Sequence, residues 1–226
     1  MKKELSKKIL FIFIFALIGF GAMQVPFSKL VGVQNIKFSL FDFYGPIAGA
    51  FIGSIWGLAT VILMQIGNWA FHGFATDMGT IIRFFPVLFA VLYFAKNTKW
   101  TLAIPIIAMI VFWAHPEGRA AWYYALYWTI PLIMHAFRDR FIFARALGAT
   151  FTQHSVGGAL WIWTFNMSAD KWIGLIPIVW KERGLMAIGI ALTYMLFNYL
   201  MSVVLKKTKI ELPFVTLHPR YSARSK

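Results

Sequence analysis

The spacing of charged residues limits the fold of this chain more than any other feature. No Asp, Glu, Lys or Arg occurs in residues 9–28, 43–76, 84–95, 100–116, 120–137, 146–169 or 184–205. A helix crossing the ~30 Å hydrocarbon layer of a bilayer needs about 20 apolar residues at about 1.5 Å each. Most of these runs reach or approach that length. Composition agrees, with 60% hydrophobic and 13% charged residues against about 45–50% and about 25% in soluble domains. The runs predict an all-α, polytopic transmembrane helix bundle. Residues 1–205 read as a single integral membrane domain and 206–226 as a basic cytoplasmic tail.

The chain holds 22 Lys and Arg against 8 Asp and Glu, a formal net charge of +14. In a soluble protein such an excess points to nucleic acid; here it follows the connections between apolar runs, as an orientation signal does. The 34-residue run 43–76 would be on the order of 50 Å long as one helix, so it is either one long tilted helix or a hairpin broken near Gly53-Ser54. With Lys2, Lys3, Lys7 and Lys8 cytoplasmic and this run a hairpin, 15 basic residues fall inside with Glu4, Asp139 and Glu211, a net 15 − 3 = +12. The outside keeps 7 − 5 = +2. An even number of membrane segments, six to eight, with both termini cytoplasmic is therefore expected, in a multi-pass protein of the cell (plasma) membrane. The first apolar stretch ends in Met23-Gln24-Val25-Pro26 with no small-x-small cleavage pattern, and reads as the first transmembrane helix. There is no cysteine, hence no disulfide or thiolate metal site.

Gly45, Gly49, Gly53 and Gly57 recur at every fourth residue, a pattern expected to form a flat strip on one helical face for close backbone packing. Ahead of them stand Val25-Pro26-Phe27-Ser28, a short polar segment, and Phe41-Asp42-Phe43-Tyr44-Gly45-Pro46. This order resembles the substrate-binding S components of energy-coupling factor (ECF) vitamin transporters, most strongly over residues 9–70 and loosely again in 146–165 and 184–205. The resemblance implies a small-molecule substrate bound near the outer face. It also implies a transmembrane coupling subunit carrying two ATPase subunits. The chain itself has no Gly-x-x-x-x-Gly-Lys-Ser/Thr loop, which fits hydrolysis being supplied by those partners. Where the family contacts its coupling subunit through an Ala-x-x-x-Ala stripe, the first helix here offers Ala16, Gly19 and Ala22.

Polar residues inside apolar runs are costly in hydrocarbon and mark sites or pathways. Thr150-Phe151-Thr152-Gln153-His154-Ser155 lies two turns inside Arg145. His154 there is either an interhelical hydrogen bonder to a backbone carbonyl or a ligand contact, with Gln153 and Trp161 nearby in sequence. On the expected outer surface, His115, Glu117 and Arg119 link two helices, and Glu182 and Arg183 open the last one. Asp42 is either an N-terminal cap or part of the same charged mouth, suited to a zwitterionic or polar heterocyclic ligand. Arg83 is expected to snorkel. Trp69, Trp113, Trp122, Trp161, Trp163, Trp172 and Trp180 fall on the outer side, as an aromatic belt or as walls for a flat ligand.

No His-Glu-x-x-His or Gly-x-Ser-x-Gly motif is present, so neither a metal site nor an enzymatic activity is expected, and no cofactor is implied. The expected function is a membrane transporter subunit that binds a vitamin-like molecule outside and moves it inward with an ATP-hydrolysing partner. The alternatives are a membrane hydrolase or transferase with a His/Glu site, and a structural membrane scaffold.

Overall fold

The computed structural model describes residues 2–29, 37–96 and 98–223. The chain is helical almost throughout: α1 (Lys2–Met23), α2 (Phe41–Tyr44), α3 (Ala48–Ile52), α4 (Ser54–Phe71), α5 (Met78–Arg83), α6 (Pro86–Ala95), α7 (Ala103–Ala114), α8 (Pro116–Ala120), α9 (Ile130–His135), α10 (Ile142–Phe165) and α11 (Ala169–Thr208). Short 3-10 turns lead from α2 into α3, into α7 and into α9. Among the described residues, the only strands are β1 (Pro26–Lys29) and β2 (Lys37–Ser39), an antiparallel pair between α1 and α2. Among the described residues, four helical stretches are long and apolar enough to cross a membrane: Glu4–Met23, Ser54–Phe71, Met78–Ala95 and Ala169–Thr208. Pro86 and Pro116 stand at first helical positions, where the missing N–H costs nothing.

The run 43–76 is a hairpin. Gly53 has φ +80° and ψ 167°, a conformation essentially restricted to glycine, and the chain reverses there, so α3 packs back on α4. The expected continuous strip is thereby overturned. Gly45 and Gly49 lie on one arm and Gly57 on the other, the two arms meeting backbone to backbone. A Cβ on Gly57 would stand 2.6 Å from Gly49 Cα, and one on Gly49 would stand 2.9 Å from Val91 O of α6. Small residues at both positions let three backbones approach more closely than side chains allow.

Ala16 and Gly19 of α1 are turned inward as well. A Cβ at Gly19 would lie 2.4 Å from Met64 Sδ of α4, and Ala16 is buried while Ala22 packs at the edge of the same core. Their contacts are thus within the chain, and the opposite face of α1 exposes Ile9, Leu10, Phe13, Ile14, Leu17 and Ile18.

Helix α10 runs through the centre, against α6, α7, α9 and α11. Two of its polar residues are accommodated locally: Thr152 Oγ1 donates to Gly148 O and Ser155 Oγ to Thr152 O, so burial leaves neither hydroxyl unpaired. Lys7 Nζ donates to Glu211 O at 3.3 Å, which places the start of α1 and the segment after α11 at one end of the bundle, the basal end. Helix α11 continues past residue 205 to Thr208, and the described part of the tail folds back on the bundle. The fully buried Asn198 amide grips His218 through both backbone groups, accepting at 2.7 Å and donating at 3.1 Å. Thr216 N donates to Phe51 O beside the hairpin tip. Asn198→Ala is expected to release the tail, seen as faster proteolysis within 209–223 while the bundle stays resistant.

Candidate ligand-binding site

A cavity of about 610 Å³ opens at the end of the bundle opposite the tail. The β1–β2 ribbon and α2 form one wall, α4 and α5 another, and α10 and α11 the floor and far side. Asp42, Gln153, His154, Trp161, Glu182 and Arg183 all line it, so the fold brings together residues up to 141 positions apart (183 − 42). His115, Glu117 and Arg119 do not. His115 Nδ1 accepts the Glu117 N–H at 3.2 Å and starts α8, and Glu117 Oε2 accepts the Ala169 N–H at 2.7 Å, placing negative charge at the N-terminus of α11. Arg119 is exposed.

Asp42 is 7% exposed. It is not the N-cap of α2, a position held by Leu40. Instead its carboxylate accepts the Ser39 N–H at 2.9 Å and the Gln153 amide at 3.3 Å, fastening the end of the ribbon to α10. Gln153 Oε1 has no hydrogen-bond partner among the described residues. Arg183, 4% exposed, pairs with Glu182, donates to Thr150 Oγ1 at 3.5 Å and lies 5.1 Å from the Phe38 ring; its Nε likewise has none. Because α11 begins at Ala169, Glu182 and Arg183 are in mid-helix, and the expected helix-start role of Glu182 falls away. Arg83 is exposed at the rim, so among the described residues the buried part of the cavity sets one cation, Arg183, beside the carboxyl groups of Asp42 and Glu182.

His154 bonds side chains rather than the expected backbone carbonyl. Trp128 Nε1 donates to its Nδ1 at 3.0 Å, and its Nε2 lies 3.0 Å from Tyr124 Oη. An indole can only donate, so Nδ1 is the acceptor and the imidazole proton is on Nε2. That proton goes to Tyr124 Oη, and the Tyr124 hydroxyl hydrogen is left to point to a third acceptor. Both ring nitrogens of His154 are thus engaged, and Tyr124, 1% exposed and lining the cavity, carries the available donor.

Trp69, Trp161 and Trp172 supply the apolar wall. The indoles of Trp69 and Trp172 are fixed by bonds to Ala75 O at 2.8 Å and Met167 O at 3.2 Å, and Trp161 lies on Phe165 with ring centroids 4.5 Å apart. The tryptophans expected on the outer side therefore divide: these three reach the cavity, while Trp122, Trp163 and Trp180 are exposed. Among the described residues no group of three or more His, Cys, Asp and Glu could hold a metal ion.

Gln65, Asn68, Arg83, Tyr124 and Trp128 were not among the expected site residues. For Gln65, Asn68 and His72 a signal existed, since polar residues at i, i+3 and i+7 share a helical face. No local pattern distinguishes Tyr124 or Trp128.

No protein-family model and no solved structure matches this chain. It is similar to a protein of Methanocaldococcus jannaschii described as the uncharacterized protein MJ0923. The two are 24% identical over 204 residues, covering 81% of this chain and 68% of that protein.

Proposed function

We propose that the chain is the substrate-binding subunit of a plasma-membrane importer, capturing a small, vitamin-like molecule at the outer face and passing it inward with a coupling membrane subunit and ATPase subunits. The observation that carries this reading is the cavity. It is of ligand size, it is walled by fixed aromatic rings, and it sets the buried Asp42 carboxyl and Arg183 guanidinium groups beside polar atoms of Gln153 and Arg183 that have no hydrogen-bond partner among the described residues. A zwitterionic or polar heteroaromatic ligand matches that lining, with an acceptor edge for Tyr124 and donors for Asp42 and Gln153. Burying unpaired charge and polar atoms is costly, and a complementary ligand offsets that cost.

In this reading the bundle crosses the membrane eight times: α1, α2–α3, α4, α5–α6, α7, residues 122–135, α10 and α11. The basal end is cytoplasmic. Lys7, Lys8, Arg138, Arg140, Arg145 and Lys206 stand there, in keeping with the positive-inside rule. Tagged protein purified from its own cell membranes tests the assignment by mass spectrometry. The expected result is co-purification of a polytopic partner and of a protein with a phosphate-binding ATPase loop. Isolation of the chain without an ATPase, together with a reporter fused after Thr208 emerging outside the cell, would overturn it.

A further inference from the structure

The basal end holds a second cluster, independent of the cavity. Arg138, in the turn between α9 and α10, has a side chain only 1% exposed. Its Nη2 donates to Tyr93 O at 2.6 Å, while Nε and Nη1 have no hydrogen-bond partner among the described residues. Arg145 donates from Nε to Phe94 O at 2.6 Å and from Nη2 to Ala95 O at 2.8 Å. Two guanidinium groups thus cap three successive carbonyls at the C-terminus of α6, where the helix dipole contributes only about half a negative charge. The Asp139 carboxylate forms a long salt bridge to Arg138, Oδ1 to Nε at 4.0 Å, from a side chain 68% exposed. Burial, with the like charge of Arg145, pulls Arg138 down to about 10, so it is still cationic at neutral pH. One exposed carboxylate thus faces two guanidinium groups, and the basal cluster keeps a net positive charge that favours an anion.

Beside these groups is a hollow of about 100 Å³ lined by Arg138, Asp139, Ile142, Arg145, His218 and Tyr221. That is several times the ~10–15 Å³ that a single water needs, and enough for one tetrahedral oxyanion. His218 and Tyr221 of the tail form one side of it, and Arg220 between them donates to Arg140 O.

We propose that this hollow is a binding site for a phosphate-type oxyanion, held by the Arg138 and Arg145 guanidinium groups and bordered by His218 and Tyr221 of the tail. The planar fork of a guanidinium suits two oxygens of one phosphate. Free inorganic phosphate and the headgroup of an anionic phospholipid offer the same chemistry. Occupancy couples to the tail, since two of its side chains complete the site.

The test is the thermal midpoint of the purified, delipidated full chain in detergent. Inorganic phosphate is compared with chloride at matched ionic strength, and phosphatidic acid with phosphatidylcholine. At about 100 times Kd the expected rise is about 5–10 °C, with slower proteolysis of residues 209–223. A rise with inorganic phosphate identifies a free-ion site, and a rise with phosphatidic acid alone identifies a headgroup site. Asp139→Asn, which removes an exposed like charge and leaves both arginines, should lower Kd about fivefold. Arg138→Gln should abolish the response; if that variant does not fold, the Asp139→Asn shift decides. No rise with either phosphate source, in the wild type and in Asp139→Asn alike, overturns the proposal.

Discussion

Gly57→Ala is expected to lower the thermal midpoint of the protein by about 6–12 °C, the largest loss for any single methyl group added to the hairpin. The added Cβ would stand 2.6 Å from Gly49 Cα, 2.7 Å from Gly49 N and 3.1 Å from Ala48 C. Every obstacle is backbone, so no side chain can turn aside to make room. Nor can α3 retreat, because Gly49 is already seated against Val91 O and Ala95 Cβ of α6. Relief requires parting two arms whose neighbours Ile47, Ala48, Phe51 and Val61 are at most 1% exposed. Overpacking of this kind costs about 3 kcal/mol, and each kcal/mol moves the midpoint of a chain this size by about 2–4 °C. Gly21→Ala and Gly174→Ala are the controls. Nothing lies within 4 Å of an added Cβ at either, so both should leave the midpoint unchanged or raise it slightly, as alanine favours a helix over glycine.

Arg183→Ala should abolish ligand binding, with Kd rising at least about 30-fold, since truncating one partner of a buried charge pair costs about 2–5 kcal/mol. The loss has two parts. The ligand loses the guanidinium, and Glu182, whose side chain is 15% exposed, is left without its cation. Arg183→Lys separates them, because lysine keeps the charge and gives up the fork; its affinity should fall between wild type and Arg183→Ala. Asp42→Asn keeps an acceptor for the Ser39 N–H and removes only charge, and should weaken binding while the ribbon stays in place. Isothermal titration of the four proteins with one ligand reads these differences directly. Equal affinity in wild type and Arg183→Ala would remove Arg183 from the site.

Gaps in charge locate most of the helices, because hydrocarbon-length apolar runs need little else to define them. The same criterion misreads α11. Its 40 residues include Asp170, Lys171, Lys181, Glu182 and Arg183, so a reading from uncharged runs starts the helix at residue 184 and turns a mid-helix ion pair into a helix start. Gly53 marks the hairpin in sequence, yet only its positive φ shows that Gly49 and Gly57 face each other across the turn. The cavity was legible in its charged members and in the polar residues set within apolar runs. Tyr124 and Trp128 were not, because what singles them out is their bond to His154, which is 30 and 26 residues away in sequence. The basal arginines read correctly as charges at one end; that they cap α6 depends on a meeting with Tyr93, Phe94 and Ala95, 45 to 51 residues distant.

The cavity as a ligand site is tested most directly by intrinsic tryptophan fluorescence of the purified protein, titrated with a panel of water-soluble vitamins and their precursors. Trp69, Trp161 and Trp172 line the cavity, so a bound heteroaromatic ring must alter their emission. The predicted result is saturable quenching by one chemical class of compound, absent in Arg183→Ala. A flat response to the whole panel, from protein whose melting shows it to be folded, would contradict the assignment.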